Sequence, residues 1–234
     1  YDLATGALIR TIVDDGGLNL TTEVTAWDNL GRPTQIRDPN GNTTDIEYTD
    51  TAGVTMVRTT PPAGPAEVVR EDRNNGFVDA YTEAGGTRWS MRRSWFDLGG
   101  RLLYEDRYHD LSGLSGFENP TLGAEATHFY RTRWAYDAAG RRYWTKNAVG
   151  TITNTDFDGL GRPIGTRIGT TDENLTLVSE NEYDNGGVGD GNLTRLTLHP
   201  GGGAADRYTH MLYDWRGRLA STADAANVTY LDLD

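Results

Sequence analysis

Residues 136–163 read YDAAGRRYWTKNAVGTITNTDFDGLGRP. Three copies of one short signal lie in this stretch: Asp137-Ala138-Ala139-Gly140, Asn147-Ala148-Val149-Gly150 and Asp158-Gly159-Leu160-Gly161. Asp or Asn at the first position of a type I turn accepts backbone N–H groups with its side chain. Gly at the fourth position takes positive φ and closes a short hairpin loop. The turn-opening residues are 10 and 11 positions apart, and turns at that spacing mean short strands joined by tight hairpins. Each interval leaves roughly six residues for a strand, near the usual length.

The signal recurs along the whole chain. Before this stretch it stands at Asp14-Asp15-Gly16-Gly17, Asp28-Asn29-Leu30-Gly31, Asp38-Pro39-Asn40-Gly41, Asp50-Thr51-Ala52-Gly53, Asp97-Leu98-Gly99-Gly100 and Asp110-Leu111-Ser112-Gly113. After it come Asp184-Asn185-Gly186-Gly187, Asp214-Trp215-Arg216-Gly217 and the variant Asp224-Ala225-Ala226-Asn227. Between turns, side chains alternate with period two. Ile46 and Tyr48 share one face in Thr44-Asp45-Ile46-Glu47-Tyr48, Trp134 and Tyr136 another, and Val228-Thr229-Tyr230-Leu231 reads as a strand covered on both sides. No 3.6-residue apolar stripe persists beyond two turns. The sequence predicts an all-β, antiparallel hairpin-repeat sheet with essentially no helix.

The turns are of two alternating kinds. One is preceded by an aromatic and followed by Arg: Trp27-Asp28…Gly31-Arg32, Phe96-Asp97…Gly100-Arg101, Tyr136-Asp137…Gly140-Arg141, Phe157-Asp158…Gly161-Arg162 and Tyr213-Asp214…Gly217-Arg218. Tyr1-Asp2…Gly6-Ala7-Leu8 is a looser copy. The other kind lacks the aromatic and runs into Thr-rich sequence, as in Gly41-Asn42-Thr43-Thr44. Two turns make one unit, so the period is 22 residues from Asp28 to Asp50, 21 from Asp137 to Asp158 and 20 from Asp214 to Asp234.

Composition agrees with this reading. The 234 residues include 29 glycines, about 12% against a usual level of roughly 7%. Asp outnumbers Glu 23 to 11 and Arg outnumbers Lys 21 to 1. Such a scarcity of Lys and Glu argues against a helical bundle or a standard α/β enzyme. A hydrophobic fraction of 36% argues against disorder. Zero cysteines exclude disulfides, thiolate catalysis and thiolate metal sites. The net charge of −12 makes nucleic acids and acidic membranes poor long-range partners. No apolar run approaches the ~20 residues of a membrane-spanning helix.

Aromatic-Asp-x-x-Gly-Arg, a strand, Asp-x-x-Gly-Asn-x-Thr and a further strand ending in an aromatic-Asp pair resemble the YD repeats of the Rhs family. Residues 27–50, 136–163 and 213–234 carry the resemblance most closely. Residues 51–95 and 100–130 match more loosely, with longer loops at Pro61–Pro65 and Ser112–Thr121, and 183–193 resemble a repeat with a lengthened turn. The resemblance implies a strip of hairpins that curves or spirals into a hollow β-shell. In related proteins such a shell encloses a C-terminal polymorphic toxin or forms a barrel on a cell-surface adhesion protein. It further implies a secreted or cell-surface, bacterial setting. Residues 1–234 are then expected to form one continuous YD-repeat array, a piece of a larger polypeptide or assembly, with neighbouring repeats or other copies as partners.

Candidate chemistry is sparse. His109, His128, His199 and His210 show no metal-ligand spacing. The repeated Asp residues are explained by turns, so no carboxylate pair is singled out for glycoside hydrolysis. Ser112-Gly113-Leu114-Ser115-Gly116 lacks the glycine spacing of a nucleophile elbow. Gly186–Leu193 approaches a calcium-binding nonapeptide with its Asp one place early, leaving Asp184, Asp190 and Asn192 as a weak calcium candidate. The turn Arg residues are expected to pair with turn Asp residues between stacked hairpins, and the repeat aromatics to stack as a ladder on one face. No catalytic residue and no cofactor is expected. The leading expectation is a non-enzymatic structural wall segment: toxin-enclosing shell, adhesion barrel, or extracellular tube or filament. The alternative is a carbohydrate-binding surface module for neutral glycans.

Overall fold

The structure, a computed structural model, describes residues 6–187, 189–224 and 228–230. The looser turn at Tyr1-Asp2, the Asn227 end of the variant turn and Asp234 lie outside the described residues. The chain divides into two compact units, Tyr1–Arg131 and Thr132–Asp234.

In the first unit, alternation between hairpin turns produces β1 (Arg10–Val13), β2 (Leu20–Trp27), β3 (Pro33–Arg37), β4 (Thr43–Thr51) and β5 (Val54–Thr60). There follow β6 (Ala66–Asp72), β7 (Phe77–Ala84), β8 (Thr87–Phe96) and β9 (Leu102–Tyr108). Each strand pairs antiparallel with the next. The first residues of β10 (Phe129–Tyr136) also belong to this unit.

The rest of β10 opens the second unit. It continues through β11 (Arg142–Lys146), β12 (Ile152–Phe157), β13 (Pro163–Gly169), β14 (Thr176–Tyr183), β15 (Leu193–Leu198), β16 (Arg207–Tyr213), β17 (Leu219–Asp224) and β18 (Val228–Tyr230). Pairing is again antiparallel between successive strands. The only helical element among the described residues is a single 3-10 turn, Asp184–Gly186. The fold is all-β, as the sequence predicts.

Where the repeat match is loose, the hairpins differ in build. Asp50, expected to open a turn, instead lies inside β4 opposite Thr55, because Thr51 pairs with Val54 and the loop shrinks to Ala52-Gly53. Ala84 likewise pairs with Thr87 across Gly85-Gly86. Residues 109–128, between β9 and β10, form a strap over one face of β6–β9. Leu111, Leu114, Phe117 and Leu122 of the strap pack on Met56, Val68, Tyr81, Met91 and Tyr108. A fully buried apolar side chain in such a cluster contributes about 1.5–3 kcal/mol.

Cross-strand register arranges this covered face in rows. Phe77, Trp95 and Tyr104 are register partners with ring centroids 5.0 and 5.3 Å apart. The next row alternates in charge: Arg70, Asp79, Arg93 and Asp106 are successive register partners, and Arg131 pairs with Asp106 at 2.5 Å. Arg93 is fully buried and lies 4.0 Å from the Phe77 ring centre. Its Nε and Nη2 donate to the two oxygens of Asp79 at 2.7 and 2.9 Å. Nη1 donates to the carbonyls of Asn119 and Pro120, and Nη2 also to that of Phe117. The five donors of a guanidinium are thereby all satisfied, three of them by the strap. Burial of a charge is tolerable only when it is paired and fully hydrogen-bonded.

The second unit has a thinner interior, with Ile152, Thr197 and Ser221 buried. Side chains tie distant strands to backbone there: Tyr183 Oη donates to the Pro163 carbonyl at 3.1 Å and Tyr213 Oη to that of Leu193 at 2.9 Å. Trp144 Nε1 donates to Asp172 in the β13–β14 loop at 2.7 Å.

Candidate functional site

Five turns share one construction. In the β2–β3 turn, the Asp28 N–H donates to the Arg32 carbonyl at 2.9 Å and the Gly31 N–H to the Asp28 carbonyl at 3.1 Å. Asp28 Oδ1 accepts the N–H groups of Leu30 and Arg32, both at 2.9 Å, while Oδ2 accepts Arg32 Nε at 2.7 Å. Gly31 closes the loop with φ +76°, which only glycine adopts without strain. A one-residue register shift between Ala26 and Trp27 makes room for the bulge.

Asp97 caps Gly99 and Arg101 in the same way, Asp137 caps Ala139 and Arg141, Asp158 caps Leu160 and Arg162, and Asp214 caps Arg216 and Arg218. Gly100, Gly140, Gly161 and Gly217 stand at positive φ, and register shifts precede Phe96, Tyr136, Phe157 and Tyr213. Each Asp also receives Nε of its Arg, at 2.7, 2.6, 2.7 and 2.8 Å.

These bonds favour the ionised carboxylate. Asp28, Asp97, Asp137, Asp158 and Asp214 are all held below the usual carboxylate range, first by the backbone N–H of Arg32, Arg101, Arg141, Arg162 and Arg218 respectively. The second kind of turn uses the same cap with an amide in place of the guanidinium. Asp38 accepts the N–H of Asn40 and Asn42 and the Asn42 side chain, which lowers its carboxyl most. Asn147 caps Val149 and Thr151.

Arg32, Arg141 and Arg162 reach past their own turn to the next hairpin. Arg32 Nη1 donates to Asp50 at 2.6 Å, and its guanidinium lies 4.1 Å from the Tyr48 ring centre. Arg162 repeats this with Asp184 at 2.9 Å and the Tyr183 ring at 4.4 Å. Arg141 lies 4.6 Å from the Phe157 ring centre, and its Nη1 is 2.8 Å from where a Cβ on Gly161 would stand. Bonds to both carboxylates hold the Arg32 and Arg162 guanidinium groups in their charged form, own-turn Asp first. The turns at Asp137, Asp158 and Asp184 are thus joined in series.

The expected ladder of stacked repeat aromatics takes a different form. Among the described residues of the first unit the ring pairs include Phe77–Trp95, Trp95–Tyr104, Tyr108–Phe129 and His109–Tyr130, none of which joins two turn aromatics. Turn aromatics are about 20 residues apart in sequence and two strands apart in space, roughly 9–10 Å. That gap is too wide for direct stacking; instead the Arg141 and Arg162 guanidinium groups lie over the rings of Phe157 and Tyr183 in the following hairpins.

The lengthened turn at 184–192 keeps the logic of the short ones. The Asp184 N–H donates to the Asn192 carbonyl at 2.9 Å, and Asp184 Oδ1 accepts the N–H groups of Gly191 and Asn192. Both carboxylate oxygens of the calcium candidate Asp184 are therefore engaged, Oδ2 by Arg162. Asp190 and Asn192 border the same shallow surface depression, but among the described residues no three His, Asp or Glu side chains converge to hold a metal ion.

These features define a class: an antiparallel hairpin-repeat protein whose Asp-capped turns are linked by arginine. The same fold occurs in chains of the crystal structure of TcdB2-TccC3-Cdc42, with a TM-score of 0.59 and 18% identity over 94% of this chain. It recurs in a structure of a mutant Photorhabdus luminescens Tc holotoxin pore, with a TM-score of 0.58 and 16% identity over 94%. TcdB2-TccC3 gives a TM-score of 0.53 and 17% identity over 87%. The chain spans about a tenth of the length of these solved chains, 11%, 10% and 10%. At such identities the likeness is one of fold. No protein family and no curated protein matches the sequence.

Proposed function

We infer that this chain is a stretch of wall in a larger Rhs/YD-repeat shell, with a geometric rather than a catalytic task. The observation that carries the reading is the linkage of one hairpin to the next by Arg32, Arg141 and Arg162, which holds neighbouring hairpins at fixed spacing. The likeness of fold to the Tc toxin chains supports it. The repeat turns at Asp28, Asp97, Asp137, Asp158 and Asp214 are its structural sites, and further hairpins of the same polypeptide are its partners. A secreted or cell-surface bacterial setting, and enclosure of a toxin, follow from that reading. Electron micrographs of the natural polypeptide containing this sequence are expected to show hollow particles. Particles without a lumen would overturn the reading.

A second reading, a neutral-glycan surface, is favoured by the strongly exposed indoles of Trp89 and Trp215, at 71% and 86% exposure. Saturable binding on a glycan array that is lost in W89A or W215A would support it.

A further inference from the structure

The face of β6–β9 opposite the strap carries a depression of about 410 Å³ bordered by Val69, Ala80, Thr82, Ser90, Arg92 and Arg107. Ala80 and Arg92 are register partners, and so are Arg92 and Arg107. Like charges directly opposite each other on one face destabilise a sheet. Both arginines are nevertheless well exposed, at 52% and 75%, in a chain of net charge −12.

One carboxylate serves both. Glu105, only 12% exposed, accepts Arg107 Nε at 2.7 Å, stands 3.6 Å from Arg92 Nε and accepts the Ser94 hydroxyl at 3.4 Å. Among the described residues, no Nη group of the two arginines donates to a protein acceptor. Glu67 also borders the depression, but it lies on β6, two strands from β8 and roughly 9–10 Å away. The Thr82 and Ser90 hydroxyls bond each other at 2.9 Å and give the floor a polar end.

We propose that Arg92 and Arg107 form a binding site for a compact oxyanion, a carboxylate or phosphate group carried by a small ligand. Glu105 binds Arg107 by Nε and lies 3.6 Å from Arg92 Nε, so two exposed guanidinium groups, cross-strand neighbours at the border of the depression, share one carboxylate and keep Nη donors for bidentate oxyanion recognition. The positive charge left in excess after Glu105 is what the negative charge of the ligand would balance.

The 234-residue chain, 15N-labelled, can be titrated with sodium phosphate and separately with sodium glucuronate, ionic strength being held constant with sodium chloride. Saturable shifts centred on Ser90, Arg92 and Arg107 are expected with at least one of them. Saturation by phosphate alone assigns a phosphate group, by glucuronate alone a carboxylate, and by both the shared oxyanion chemistry. R92Q and R107Q should each weaken binding by about tenfold or more with unchanged melting temperature. R73Q, which alters an exposed arginine paired with Glu71, should bind as the parent does. Absence of saturation with both anions, or binding by R92Q and R107Q as tight as the parent's, overturns the proposal.

Discussion

Replacing Arg93 with methionine tests the buried charge row beneath the strap. The guanidinium is 0% exposed and supplies both hydrogen bonds that the Asp79 carboxylate receives, along with bonds to three strap carbonyls. R93M leaves Asp79 buried with Arg70 Nη1, at 3.7 Å, as its nearest remaining cation. Removing one partner of a buried ion pair costs about 3–5 kcal/mol. Each strap carbonyl left without a donor adds about 1 kcal/mol or more. A loss of about 5 kcal/mol is comparable to the whole stability of a small unit, about 5–15 kcal/mol. Urea unfolding should therefore show R93M far less stable than the parent, and limited proteolysis should cut within residues 109–128 much faster. The double variant D79L/R93M separates the two contributions. It removes the orphaned carboxylate, so most of the global stability should return. The strap carbonyls stay unpaired, so fast cleavage of the strap should persist. An R93M loss below about 1 kcal/mol, or unchanged cleavage in both variants, would refute the reasoning.

The remaining expectations concern the second unit. His199 donates from Nδ1 to Asp206 at 2.9 Å and from Nε2 to Glu180 at 3.1 Å, an arrangement that needs both ring protons. Its pKa is raised above 6.5, first by Asp206. The clasp's stabilisation is thus complete below pH 6.5 and fades as pH rises through the higher folded value. An NMR titration should follow that order, and H199Q should flatten the pH dependence of unfolding. Gly161 and Gly150 both sit at positive φ, +88° and +91°, but only Gly161 has a neighbour, Arg141, where a Cβ would go. G150A and G161A should each cost about 1–2 kcal/mol for the left-handed backbone, because only the tip of the flexible Arg141 side chain must move aside for a Cβ on Gly161. A loss on urea unfolding that is much larger at Gly161 than at Gly150 would refute this and show Arg141 rigidly held.

The hairpin turns were legible in the sequence because their physics is local. Asp, Gly and Arg act within five consecutive residues at Asp28–Arg32 and its four counterparts, and no distant residue is needed to form the cap. Charge in the covered face also left a trace. Asp79 stands two residues from Phe77 and Tyr81, Arg93 two from Met91 and Trp95, and Asp106 two from Tyr104 and Tyr108, each a charge on the apolar side of its strand. Sequence spacing could mark these residues as misplaced, but it could not pair them. Pairing depends on register across β6–β10, which β-hairpin lengths and the two-residue loops at Ala52-Gly53 and Gly85-Gly86 set together.

The amino-acid sequence by itself determined the all-β class, the turn positions and the period of about 20 residues, since each follows from contacts within a single hairpin. Tertiary structure decided which arginine reaches which neighbouring hairpin, how the buried Asp79, Arg93 and Asp106 pair with one another and with the half-buried Arg70 and Arg131, and that residues 109–128 lie as a strap on the sheet. Those outcomes join residues that no single turn brings together, such as Asp79 with Arg93, 14 positions apart, and Arg93 with Pro120, 27 apart. Their energies exist only once strands pair and water is excluded from between them.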